Sequence, residues 1–135
     1  MITLIYGVKG SGKTKKIIDA ANDAAMKDDG DVVYLTDQPS HSVQIKHTVR
    51  FIDFASFNIK SPDAAMGFIK GVLSVNNDIV EVFIDGLSRM ANCPIADMEG
   101  FYKELERLAV DEKVDFTLTV SCDGKDLPRF MKKYI

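Results

Sequence analysis

Short apolar runs alternate along this chain with longer stretches in which apolar residues return every three or four positions. The runs Ile2 to Tyr6, Val32 to Thr36, Ile79 to Ile84 and Phe116 to Ser121 have the length and near-continuous hydrophobicity of strands buried on both faces, and Thr48 to Ile52 is a weaker strand candidate. Between them, Ile17, Ile18, Ala21 and Ala25 mark one face of a helix over Lys13 to Lys27, which Asp28, Asp29, Gly30 and Asp31 end. Ser61-Pro62-Asp63 is a helix start, with serine as the cap, proline at the first helical position and a carboxylate near the positive end of the dipole; Phe68, Ile69, Val72 and Leu73 supply that helix's apolar face. Met98, Phe101, Tyr102, Leu105, Leu108 and Ala109 predict a further helix over Ala96 to Lys113. The tail from Cys122 to Ile135 reads as an irregular segment or a terminal helix.

Strands that alternate with amphipathic helices predict a mainly parallel sheet covered on both faces, an α/β three-layer αβα sandwich of about five strands. A length of 135 residues fits one domain and can bury a substantial core. No internal repeat or low-complexity segment interrupts the pattern.

The first crossover carries the most specific chemistry. Gly7-Val8-Lys9-Gly10-Ser11-Gly12-Lys13-Thr14 satisfies the pattern G-x-x-x-x-G-K-[ST] between a predicted strand and a predicted helix. Small residues let the backbone itself face a polyphosphate with its N–H groups, and the helix that follows adds the positive end of its dipole. Gly7, Lys9, Gly10, Ser11, Gly12, Lys13 and Thr14 are therefore the candidate phosphate cradle. Lys13 is placed to reach the β- and γ-phosphates, and the Thr14 hydroxyl to coordinate Mg2+.

In a parallel sheet the crevice lies outside the carboxyl ends of the strands, so the residue that ends each run matters most. Asp85 ends Val80-Glu81-Val82-Phe83-Ile84 and is the second candidate Mg2+ ligand, direct or through water. Ser121, at the end of the last run, is a candidate to sense a γ-phosphate or position water; a strand-end hydroxyl bonded to backbone is the plainer reading. Asp37 and Asp53 follow two other strands and are candidates to orient a second substrate or bind a metal-bound water, though most loop aspartates simply cap turns. Arg89 reads as a solvated surface arginine before it reads as a group for a transferred phosphate. His41 and His47 lack ligand-like spacing and are expected to be exposed.

Charge and composition narrow the picture. Seventeen Lys and Arg against 20 Asp and Glu, a formal net charge of -3, provide no basic face for generic nucleic-acid binding. Cys93 and Cys122 have neither C-x-x-C spacing nor a histidine pair and read as free thiols. The apolar start is too short for a signal peptide and no apolar stretch approaches 18 residues, so no membrane segment and a cytoplasmic location are expected.

The phosphate loop and Asp85 together resemble the P-loop nucleoside triphosphate hydrolase superfamily, and Phe83-Ile84-Asp85-Gly86-Leu87-Ser88 is similar to its RecA-like additional-strand branch. Over the whole chain the similarity extends to small stand-alone P-loop proteins often labelled after the twitching-motility (pilus-retraction) ATPase. Gly7 to Thr14, Arg50 to Asp53, Phe83 to Gly86 and Thr119 to Asp123 carry it; the retraction ATPase itself resembles this chain only at the phosphate loop. The resemblance implies a P-loop fold and binding of a nucleoside triphosphate, ATP with Mg2+. The chain departs from the branch in having Gly86 where a catalytic glutamate usually follows the aspartate, and Ser121-Cys122-Asp123-Gly124-Lys125-Asp126 does not match the guanine-selecting N-K-x-D element. The expectation is an ATP-binding protein that is a weak or partner-stimulated Mg2+-dependent ATPase, with Lys13, Asp85 and Ser121 as its catalytic set. Two alternatives stand beside it: a small-molecule kinase whose acceptor site uses Asp37, Gln38 and Arg50, and an interaction module independent of nucleotide. The identity of a protein partner and the oligomeric state are not legible.

Overall fold

A computed structural model describes every residue from Met1 to Ile135. Its centre is a sheet of five strands, β1 (Ile2–Gly7), β2 (Asp31–Thr36), β3 (Arg50–Asp53), β4 (Ile79–Asp85) and β5 (Asp115–Ser121), in the spatial order β1-β5-β4-β2-β3. Every pairing is parallel. The chain is an α/β protein, as the alternation of strand and helix predicts.

Helix α1 (Lys13–Lys27) covers one face, where its Ile17, Ile18 and Ala21 pack with Val32, Tyr34 and Phe83. Helices α2 (Pro62–Ser74), α3 (Leu87–Ala91) and α4 (Glu99–Glu112), with the C-terminal tail, cover the other. That face holds the larger core, including Leu4, Leu35, Ile84, Leu118, Ile69 and Leu105. Alternation along the strands sorts the two sets: Val82 and Ile84 face the larger core, whereas Phe83 and therefore Glu81 and Asp85 face α1. No helix is long and apolar enough to cross a membrane.

Local chemistry explains most boundaries. Ser61 Oγ accepts the Ala64 amide at 3.0 Å and caps α2 as its sequence predicts. The third helix expected over Ala96 to Lys113 is shorter at its start: Ile95–Asp97 tightens into a 3-10 turn after Pro94, and Met98 stands as the cap of α4. Lys113 ends that helix with a left-handed φ of 56°. The weak strand candidate is the four-residue edge strand β3, paired only with β2. The tail adopts 3-10 turns at Gly124–Asp126 and Arg129–Tyr134; the second stacks Tyr134 on Tyr102 with ring centroids 5.6 Å apart.

Candidate functional site

The loop between β1 and α1 turns back on itself through the Ser11 amide, which donates to Val8 O at 3.1 Å. It is tied to the end of β5 by the Cys122 amide, which donates to Gly7 O at 3.0 Å. Gly12, the residue before α1, has a φ of 92°, a conformation that favours glycine. At Gly7 the need is for space: a Cβ there would collide with the Ser11 side chain. The start of α1 has no side-chain cap and no acidic residue in its first turn. By contrast, α2 begins with the Ser61 cap and Asp63, and α4 with Glu99. Only at α1 is the positive end of a long helix left to the loop's own backbone. Gly10, Ser11 and Gly12 are exposed while Lys13 and Thr14 are half-buried, so the loop is an open crest and not a closed chamber.

Facing it on the α1 side of the sheet is a row of polar strand ends. Thr36, Asp85 and Thr119 are the three buried polar residues of the chain, and they come from adjacent strands. Thr36 stands opposite Asp85 in register, and Ser121 opposite Gly7. Asp85 is 5% exposed. The Thr119 hydroxyl donates to Asp85 Oδ1 at 2.7 Å and accepts the Gly86 amide at 3.2 Å. The other carboxylate oxygen, Oδ2, has His41 Nδ1 at 3.7 Å. The Tyr34 hydroxyl lies 3.5 Å from the same nitrogen. Burial first, and the Asp85 charge second, raise the Tyr34 phenol above its ordinary pKa.

His41 thus departs from expectation. It is largely covered, 12% exposed, because Pro39–Gln44 winds into a 3-10 turn clamped to α1: the Asn22 side chain donates to Gln44 O and accepts the Lys46 amide, both at 2.9 Å. His47 is exposed as expected. Arg89 is exposed, as expected of a surface arginine, and is also paired, donating in a fork to Asp37: Nε to Oδ2 at 2.7 Å and Nη2 to Oδ1 at 2.8 Å. That guanidinium lowers the Asp37 carboxyl below its usual range. Asp53 caps a turn, accepting the Ala55 amide at 3.0 Å.

Ser121 is exposed beside the loop and forms no bond to Asp85; the hydroxyl that does is Thr119, two residues earlier on the same face. The ammonium of Lys13 acts on Cys122 next door. Burial, then Asp126 and Asp123, raise that thiol's pKa, and Lys13 opposes them. Glu81 lies at the opposite end of β4, against Asp115 of β5. A groove of about 800 Å3 is also remote; Asp31, Asn76 and Ile79 line it and none of Gly7 to Thr14 does.

No three His, Cys, Asp or Glu side chains cluster as a self-sufficient metal cage. A magnesium ion that keeps phosphate oxygens and waters needs only one hydroxyl and one carboxylate from protein, and Thr14 and Asp85 are of that type. No family model and no curated protein matches the chain.

Proposed function

We propose that the chain binds ATP with Mg2+ at Gly7 to Thr14 and is a weak or partner-stimulated ATPase of the P-loop superfamily. The observation that carries this reading is the placement of the Asp85 carboxylate. It is buried on the α1 side of the sheet, and a single strand, β5, separates β4 from β1, the strand that opens into the glycine loop. A buried carboxylate is expensive unless its oxygens have partners. Here Thr119 satisfies one oxygen at 2.7 Å, while the other, with no partner closer than the His41 imidazole at 3.7 Å, keeps access to solvent.

On this reading the site residues take the following roles. Backbone amides of residues 8 to 14 and the uncapped start of α1 meet the phosphate oxygens, and Lys13 neutralises the β- and γ-phosphates. Thr14 and Asp85 would hold the Mg2+, which when bound would supply electrostatic stabilisation of phosphate charge. Ser121, level with Gly7 on the neighbouring strand, is the hydroxyl for the γ-phosphate or for water. Gly86 supplies no general base, which fits slow turnover or stimulation by a partner.

The test is thermal unfolding with and without Mg·ATP. A ligand at 100 times its Kd stabilises the folded chain by about 2.7 kcal/mol. Lys13→Ala is expected to abolish both that shift and phosphate release from ATP. A wild-type chain whose melting is indifferent to millimolar Mg·ATP defeats the proposal.

A further inference from the structure

Arg89 stands at the C-terminal end of the sheet, close enough to Asp85 to feel its charge. Its guanidinium spans two strand ends, forked onto Asp37 after β2 at 2.7 and 2.8 Å and lying over Gly86 directly after Asp85 of β4. A Cβ at position 86 would collide with Nη2 and stand 2.7 Å from Cζ, and the φ of Gly86 is 96°. The five-residue helix α3 that carries Arg89 is anchored by the buried Leu87, Met90 and Ala91. Even so, the arginine side chain is 49% exposed and its partner 19%. A pair this open stabilises a fold little. The buried anchor of α3 and the Asp37 carboxylate instead hold a guanidinium fork at the rim of the Asp85 site.

The planar fork that matches a carboxylate matches a phosphate equally well. We propose that Asp37 stands in for the third phosphate: the Arg89 fork rests on this carboxylate and exchanges it for the γ-phosphate when ATP binds, so that the chain distinguishes ATP from ADP. This rests on the reading of Gly7 to Thr14 as a nucleotide site. Arg89 is then a specificity-determining residue, and Asp37 its competitor. The two should respond to mutation with opposite signs, whereas a purely structural pair responds with the same sign.

Calorimetric titration of the full chain with Mg·ATP and Mg·ADP tests this in wild type, Arg89→Ala, Arg89→Lys and Asp37→Asn. Arg89→Ala should weaken ATP by about tenfold or more, the worth of a charged hydrogen bond, and leave ADP within about twofold. Arg89→Lys keeps the charge but loses the fork, and should fall between. Asp37→Asn should tighten ATP several-fold with ADP unchanged. Melting curves identify any variant that fails to fold; if Arg89→Ala is lost that way, Arg89→Lys and Asp37→Asn still give opposite signs. Equal losses for ATP and ADP, or an ATP loss in Asp37→Asn, overturn the inference while leaving nucleotide binding intact. A wild-type chain that binds neither nucleotide overturns the site itself and this inference with it.

Discussion

Glu81 and Asp85 lie four residues apart on β4, on the same face of the sheet, yet their surroundings are opposite in kind. Asp85 meets a hydroxyl donor and two rings: the Thr119 hydroxyl at 2.7 Å, the His41 imidazole at 3.7 Å and, behind it, the Tyr34 phenol. Glu81 meets carboxylates. Burial first, then the adjoining Asp28 carboxyl and the charge of Asp115, push it up to about 7 from an ordinary 4.5. Helix α1 accounts for much of the contrast. Its acid-free first turn points to the Asp85 end, and its last turn runs into Asp28, whose Oδ2 is buried without a hydrogen-bond partner. Carboxylates at the negative end of a helix repel its dipole, and here they also repel one another. One strand therefore carries a carboxylate beside a hydroxyl donor at one end and a carboxylate among other carboxylates at the other.

Matched amide substitutions separate the two ends most sharply. Asp85→Asn should remove the magnesium-dependent part of the ATP-induced stabilisation, most of the about 2.7 kcal/mol expected at 100 times Kd. Glu81→Gln should keep all of it. Thermal unfolding with ATP, with and without Mg2+, reads both. If the two variants retain equal magnesium dependence, the two ends of β4 do not differ in the way argued.

A smaller effect concerns what holds Asp85. Thr119→Val removes the hydroxyl that donates to Oδ1 and accepts the Gly86 amide, leaving two buried polar groups unmatched. The expected cost is about 1–3 kcal/mol in urea unfolding, with Thr119→Ser largely spared. A valine variant as stable as wild type would mean that the hydroxyl does not support the carboxylate.

How much of this was readable beforehand differs between elements. Helix α1 runs from Lys13 to Lys27 as predicted, because its boundaries are local: Gly12 is left-handed before it and Asp28 extended after it. Asp85 closes a long apolar run, and that too is a local signal. Thr119 was half legible. Thr117, Thr119 and Ser121 alternate with Phe116, Leu118 and Val120, which marks a hydroxyl-bearing face, but which hydroxyl meets Asp85 depends on the β4–β5 register. Ser121 was the more conspicuous strand end. His41 and the Arg89–Asp37 fork gave no signal at all, since each joins residues far apart in the chain through loops. Helix α3 was hidden for another reason: five residues between left-handed Gly86 and Asn92 are too few to display a period.

The gentlest perturbation is protonation of the acidic end. A group whose pKa is higher in the folded chain than in the unfolded one stabilises the fold in its protonated form. For Glu81 that stabilisation is fully present below about 4.5 and is lost as the pH rises through about 7. The groups around it are Asp28 from the end of α1, Asp115 at the start of β5 and the nearby Lys113, while the Met1 amino group engages Asp115 at 3.1 Å. Partial exposure screens the effect, leaving on the order of 1 kcal/mol. Urea midpoints should thus fall between pH 5 and about 8 in wild type, and fall less in Glu81→Gln, whose neutral amide keeps a hydrogen-bonding group beside Asp28 at every pH. Because Glu81 lies at the far end of the strand, Mg·ATP should leave this difference between the two proteins unchanged. A nucleotide that abolished it would link the two ends of β4 and break the contrast between them.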